Sequence, residues 1–190
     1  MTEQPVGRNV LRTGREPRPR VVILGGGFAG LGAGRSLAGC DVDVVLIDKN
    51  GYHTFQPLLY QLATDQLEEA VVGHPLADLF RDQDNVEIRR STVTAAGLGK
   101  RLIWLDDSEP ISYDYLVIGL GAGVRFFGTK GARAHSFPLY SVDDARRLLA
   151  HVLRLWTDAA RDTSSVAEGA LDVVITGGGP TGVECAGAMA

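Results

Sequence analysis

The chain has 190 residues, 45% hydrophobic and 22% charged, with a formal net charge of −4. That is the composition of an ordinary globular protein of one domain or slightly more, and it excludes a disordered chain. No apolar run approaches the roughly 18 residues of a transmembrane helix, and two cysteines exclude a disulfide-dense scaffold or an all-cysteine metal site. Glycine stands out, with 24 residues, nearly twice the usual share of about 7%. The glycines are clustered rather than periodic, so the chain is not collagen-like.

Residues 1–20 hold five arginines and two acids, a local charge of +3, with Pro5, Pro17 and Pro19 among them. They read as a disordered basic tail. The remainder carries 14 basic and 21 acidic residues, or −7, which argues against nucleic acid as the main partner. The tail has no apolar core segment of a signal peptide, which predicts a cytoplasmic protein.

Residues 21–24 (VVIL) predict a strand buried on both faces. Gly25 to Gly30 (GGGFAG) follow at once, then a helix over 28–38 and a second buried strand over 42–47 that ends on Asp48. This is the size of one mononucleotide-binding unit. Helices are expected over 65–70 and 74–81, and a third strand over 86–90. Segments 92–95, 101–106 and 111–113 predict a small antiparallel meander. Residues 114–118 predict another buried strand, closed by Gly119, Leu120, Gly121, Ala122 and Gly123. The clearest helix runs over 141–156, with Ala145, Leu148, Leu149, Val152, Leu153 and Trp156 on one face and a capping box from Ser141 and Asp144. After a polar linker over 157–170 the opening repeats: a strand over 172–176, then Gly177 to Gly182 (GGGPTG). The chain stops inside the helix that should follow, so the second unit is unfinished and the chain reads as a piece of a longer protein.

Gly25, Gly27 and Gly30 fit G-x-G-x-x-G between a strand and a helix, with an acid closing the next strand. The first glycine permits the tight turn, the second lets a pyrophosphate approach, and the third brings helix and strand together. The pyrophosphate then meets free N–H groups at the positive end of the helix dipole. Asp48 is placed to accept from ribose hydroxyls and to disfavour a 2′-phosphate. Gly177, Gly179 and Gly182 repeat the motif, so two dinucleotide sites are expected. The acid of the second lies past Ala190, which leaves NADH against NADPH undecided.

The arrangement resembles the two-dinucleotide-domain flavoproteins related to pyridine nucleotide–disulfide oxidoreductases. Within them it is most similar to the type II NADH dehydrogenases, single-subunit NADH:quinone oxidoreductases. Residues 21–31 (VVILGGGFAGL), 52–64 (YHTFQPLLYQLAT), 113–121 (YDYLVIGLG) and 177–184 (GGGPTGVE) carry the resemblance, the second being the most specific. It implies an α/β fold: an FAD/NAD(P)-binding Rossmann-like parallel sheet, a small antiparallel meander and a truncated second Rossmann unit. The implied layout is a tail (1–20), an FAD-binding domain (21–156), a linker (157–170) and the start of an NADH-binding domain (171–190). FAD would lie on Gly25, Gly26, Gly27, Phe28, Ala29 and Gly30, with Asp48 and Lys49 at the adenosine and the backbone of Val93 at the adenine. Gly119, Gly121 and Ala122 would meet its phosphate and ribityl region, and Pro57 and Leu58 the isoalloxazine, with His53 nearby. NADH would take the second site. Glu184 points towards the flavin in this family, where it is assigned a role in quinone or proton handling. The resemblance further implies quinone as acceptor and peripheral contact with the cytoplasmic face of the plasma membrane through a missing C-terminal part, and it is compatible with a homodimer. The chain departs from the family at Asp65, where Ala-Thr-Gly is common, and at Ala77, where Pro-Leu-Arg is common.

Residues 49–70 contain no cysteine, so electrons are expected to leave the flavin without a thiol relay. Cys40 and Cys185 read as packing residues, as do Trp104 and Trp156. His53, His74, His135 and His151 show no metal-ligand spacing, and no G-x-S-x-G elbow supports hydrolase chemistry. Two other readings stay open: a reductase of a ferredoxin- or rubredoxin-type protein, and a truncated, non-catalytic FAD-binding fragment.

Overall fold

A computed structural model describes residues 17–190; residues 1–16, most of the expected basic tail, lie outside the described residues. The strand–helix–strand unit is β1 (Arg20–Leu24), α1 (Phe28–Ser36) and β2 (Asp43–Asp48). An antiparallel pair, β3 (Tyr52–Thr54) and β4 (Gly73–Pro75), brackets a 3-10 turn (Gln56–Leu58), α2 (Leu59–Ala63) and α3 (Glu69–Val72). Next come α4 (Leu76–Leu79), β5 (Val86–Arg90), and the meander of β6 (Val93–Gly97), β7 (Leu102–Leu105) and β8 (Ile111–Ser112). β9 (Tyr115–Ile118), α5 (Val142–Arg161), α6 (Ser164–Ala167) and α7 (Pro180–Met189) follow.

The main sheet has the order β5-β2-β1-β9, and every pairing is parallel. Alternation along β1 and β2 explains why both strands read as unbroken apolar runs. Val22, Leu24, Val45 and Ile47 face the meander, against Ile103, Leu105 and Ile111. Val21, Ile23, Val44 and Leu46 face the opposite side, against Leu76 and Phe80 and the half-buried Leu31 and Leu37. The expected α/β parallel sheet with its small meander is therefore present, and the meander forms a layer of its own. Each fully buried Val, Leu or Ile contributes about 1.5–3 kcal/mol. A third cluster joins α2 to α5 through Leu59, Leu62, Val142 and Ala145.

Several local expectations are corrected. The helix expected over 65–70 begins only at Glu69, because Asp65 sits in a turn at φ +59°. Asp65 stands where the resemblance led to an expected glycine, and aspartate is among the few side chains that tolerate that backbone region. The helix expected over 74–81 shortens to α4, because residues 73–75 pair with β3 instead. β9 is an edge strand rather than a buried one, with Tyr115 and Ile118 more than half exposed. Residues 172–178 form no strand: among the described residues they find no ladder partner, and Val174 is 89% exposed. α5 runs on to Arg161, into the expected linker, and its apolar face is only partly covered, leaving Leu153 and Trp156 exposed although Ala159 near its end is buried. Cys40 is exposed rather than packed, whereas Cys185 is buried. Arg18 and Arg20, expected in the tail, belong to the ordered body. Arg18 pairs with Asp41 at 2.6 Å, and the Arg20 N–H donates to Asp114 at 2.7 Å.

The start of α5 is the best-defined helix end. Ser141 and Asp144 form the expected capping box, with the Asp144 N–H donating to the Ser141 hydroxyl at 3.1 Å and the Ser141 N–H returning to Asp144 at 3.0 Å. Burial pulls the Asp144 carboxyl upward, but hydrogen bonds from the Ser141 hydroxyl, Arg147 and the Ser141 and Tyr140 N–H groups outweigh it and hold it below the usual range. Its contribution is therefore complete above the ordinary aspartate range near about 4, and is lost as pH falls through the lower folded-state value. Ser141→Ala is expected to lower stability by about 1 kcal/mol at pH 7, with a smaller deficit near about pH 3. Thermal melts at the two pH values check this; equal melting temperatures at pH 7 would mean that the box adds nothing.

Candidate dinucleotide-binding site

The carboxyl ends of β1, β2 and β9 open onto a cleft of about 1320 Å³, which is where open parallel sheets place ligands. One wall is the turn from β1 into α1. Gly25 has φ +98°, and a side chain there would run into the Gly119 carbonyl. A Cβ on Gly30 would overlap the Gly25 carbonyl oxygen, so this glycine brings the first turn of α1 onto its own approach loop. Gly27 differs: it is the N-cap of α1, and nothing lies within 4 Å of where its Cβ would stand. No side chain caps α1, and no acid sits in its first turn. Its unpaired N–H groups and positive dipole end therefore face open space, the arrangement that accepts a phosphate. The residues present fit a dinucleotide pyrophosphate.

The turn is tied to its neighbours by backbone and side-chain bonds. The Gly25 N–H donates to Ile47 O at 2.7 Å, and the Gly119 N–H to Leu24 O at 2.8 Å. Asp48 accepts from the Gly26 N–H at 2.8 Å through one oxygen, and from the Asn50 and Gly51 N–H groups at 2.7 and 3.2 Å through the other. It also lines the cleft, so the carboxylate that ties the turn stands on the cleft wall as well.

Of the residues expected at the cofactor, Gly25, Gly27, Phe28, Ala29, Asp48, Lys49, Gly119, Gly121 and Ala122 line the cleft together. Gly26 and Gly30 lie within the turn, beneath its surface. His53 is buried behind the turn, its Nδ1 at 3.0 Å from Gly26 O. Pro57 and Leu58 sit on the 3-10 turn, and Val93 packs against the meander core; none of the three is on the cleft wall.

Other residues on the wall were not among those expected at the cofactor. Tyr52, Thr54 and Gln56 come from the β3 region. Burial first, and then the Asp143 and Glu69 carboxylates, push the Tyr52 phenol upward, so it remains a donor at neutral pH. Tyr140 holds the far loop by accepting from the Ala122 N–H at 3.0 Å. Arg147, His151 and Arg154 reach the cleft from α5; their i, i+4, i+7 spacing on one helical face was the readable signal.

The second glycine turn stands apart from this cleft. Gly177 has φ +122°, a Cβ on Gly182 would overlap the Gly177 carbonyl, and the space at Gly179, the N-cap of α7, is open. It repeats the backbone of the first turn without a paired strand before it. α7 rests on α2 and buries Cys185. Glu184, further along α7, is exposed and does not line the cleft. Among the described residues, no cluster of His, Cys, Asp and Glu could hold a metal ion, and no helix is long and apolar enough to cross a membrane.

A family model for the pyridine nucleotide-disulphide oxidoreductases matches residues 19–190. The type II NADH:quinone oxidoreductase Ndh of Mycobacterium tuberculosis is 36% identical over 177 residues, covering 91% of this chain and 38% of the relative. NdhA of the same organism, also a type II NADH:quinone oxidoreductase, is 37% identical over 174 residues, covering 90% and 37%. The chain thus spans less than two-fifths of the length of these relatives. Among solved structures, NDH2 from Plasmodium falciparum in complex with NADH superposes with a TM-score of 0.70 at 22% identity, over 75% of this chain and 30% of that one; this likeness is one of fold.

The geometry separates the two central glycines. Gly27→Ala is expected to leave stability within about 0.5 kcal/mol of the parent, because its Cβ meets nothing. Gly30→Ala should cost about 1–3 kcal/mol or more, because its Cβ meets backbone that cannot move aside. Denaturant titration of both variants checks this, and equal losses would contradict the described turn.

Proposed function

The chain belongs to the pyridine nucleotide-disulphide oxidoreductase family, and on that premise we propose that it forms the FAD-binding part of an NADH:quinone oxidoreductase. The observation that carries the reading is the open, uncapped N-terminus of α1 at Gly27, set in a cleft that Asp48 and Lys49 also line. FAD, when bound, supplies two-electron transfer between a nicotinamide and an acceptor. The chain's own residues do the rest. The Gly27 turn holds the pyrophosphate, Asp48 and Lys49 meet the adenosine, and the loop from Gly119 to Ala122 closes over the linking region.

The type II NADH:quinone oxidoreductase relatives support NADH as donor and quinone as acceptor. In this reading residues 21–156 bind FAD, and residues 171–190 open an NADH-binding unit on Gly177, Gly179 and Gly182. We place the complete protein at the cytoplasmic face of the membrane, with peripheral contact and the capacity to form a homodimer. Glu184, on the helix that the second turn opens, is assigned to holding a proton for the quinone oxygen.

Gly27→Val should abolish flavin retention, because a branched side chain would fill the space left for the pyrophosphate. Flavin absorbance after gel filtration measures it; equal flavin content in variant and parent would overturn the FAD assignment. In the complete protein, Glu184→Gln should leave flavin content and reduction by NADH unchanged and slow reoxidation by quinone. Stopped-flow traces of the two half-reactions decide this, and a slowed reductive half alone would reassign Glu184 to the nicotinamide.

A further inference from the structure

Gly26 is held at both its N–H and its carbonyl by side chains outside the glycine motif. Its N–H donates to Asp48 at 2.8 Å, and its carbonyl lies 3.0 Å from His53 Nδ1. A carbonyl can only accept, so Nδ1 carries the proton. His53 is 4% exposed, and the ring of Phe28 packs edge-on against it at 4.9 Å and 87°. The imidazole is therefore fixed as a donor.

The consequence follows from peptide geometry. The chain has no cis peptide bond among its described residues, and in a trans peptide the C=O and the following N–H point in opposite directions. Anchoring the Gly26 oxygen on buried His53 therefore turns the Gly27 N–H outward, into the open space at the N-cap of α1. The Asp48 bond acts in the same way one peptide earlier. Holding the Gly26 N–H turns the Gly25 carbonyl away, onto the Gly30 side of the turn.

We propose that His53 is a positioning residue of the pyrophosphate site, acting through the Gly26 carbonyl to aim the Gly27 N–H at the phosphate. The inference rests on the reading of this turn as the FAD site. The second turn provides a comparison. It takes the same backbone shape, yet among the described residues neither the Gly178 N–H nor its carbonyl has a counterpart of the side-chain bonds at Gly26. The glycines supply the shape; Asp48 and His53 fix the planes of two successive peptides within it. This division makes the first site rigid before its ligand arrives, and pre-organisation of that kind favours tight retention.

The test uses two replacements. His53→Phe keeps a ring against Phe28 and removes the donor. His53→Asn places an amide N–H about where Nδ1 stood. Titration of the chain with FAD, followed by flavin fluorescence, should show about tenfold or weaker binding for His53→Phe and a return to within about threefold of the parent for His53→Asn. The carbonyl carbon resonance of Gly26 in the ligand-free chain should shift in His53→Phe and recover in His53→Asn. Parent-like affinity in His53→Phe overturns the proposal, as does an Asn variant as weak as the Phe variant. If the parent itself binds no FAD, the cofactor reading fails, and the resonance then decides on the clamp: an unmoved Gly26 signal in His53→Phe overturns it. Should His53→Phe not fold, His53→Met serves as the donor-free variant.

Discussion

The contact on which the site depends is one between backbones. The Gly30 α carbon lies so close to the Gly25 carbonyl that no side chain could fit between them. Because of that approach, the first turn of α1 leans over the end of β1, and the helix dipole ends where the cleft begins. The same approach seats the Gly119 loop, since Gly119 is packed against the Gly30 amide and Leu24 carbonyl. The end of β1, the start of α1 and the Gly119 loop, which is remote from both in sequence, are thereby brought within a few ångströms of one point. Conformational freedom matters less here than absent volume: glycine is required because two main chains occupy the space that a Cβ would take.

The layers explain why this point is firm. β1 is covered by the meander on one face and by α1 and α4 on the other, so its end cannot shift without disturbing both cores. The opposite wall is built differently. It is an irregular loop steadied by Tyr140 and by the capped start of α5, with the Arg133 guanidinium over the Phe126 ring at 4.9 Å and Phe137 stacked on His151 at 4.5 Å. The cleft thus has one wall set by backbone packing and another set by side-chain contacts at a looser surface. Adjustment to a ligand falls to the second wall.

Much of the fold was legible in the sequence because its signals were local. Apolar β-branched runs next to glycine turns gave β1 and β2, the short alternating segments gave the meander, and Ser141 with Asp144 gave the start of α5. Errors arose where the outcome depended on distant partners. The run at 172–176 has every intrinsic property of a strand and is not one here, because a strand is defined by what it pairs with. Residues 73–75 look helical from their neighbours and are taken by β3. At the site, the glycines and Asp48 could be read because their chemistry follows from chain geometry. The place of His53 behind the turn could not, since it depends on how β3 folds back beneath Gly26.

The two glycine turns differ in their surroundings and agree in their shape. One follows a strand paired on both sides; the other follows an unpaired segment. In each, the third glycine meets the carbonyl of the first, and an isoleucine two residues before the turn, Ile23 or Ile175, lies 3.4 or 3.5 Å from the position of its Cβ. The geometry is therefore written in about eight consecutive residues. In evolutionary terms this makes the segment a copyable word. A duplicated stretch of gene inserted elsewhere could form its anion-accepting turn at once, before the sheet around it had been selected to fit.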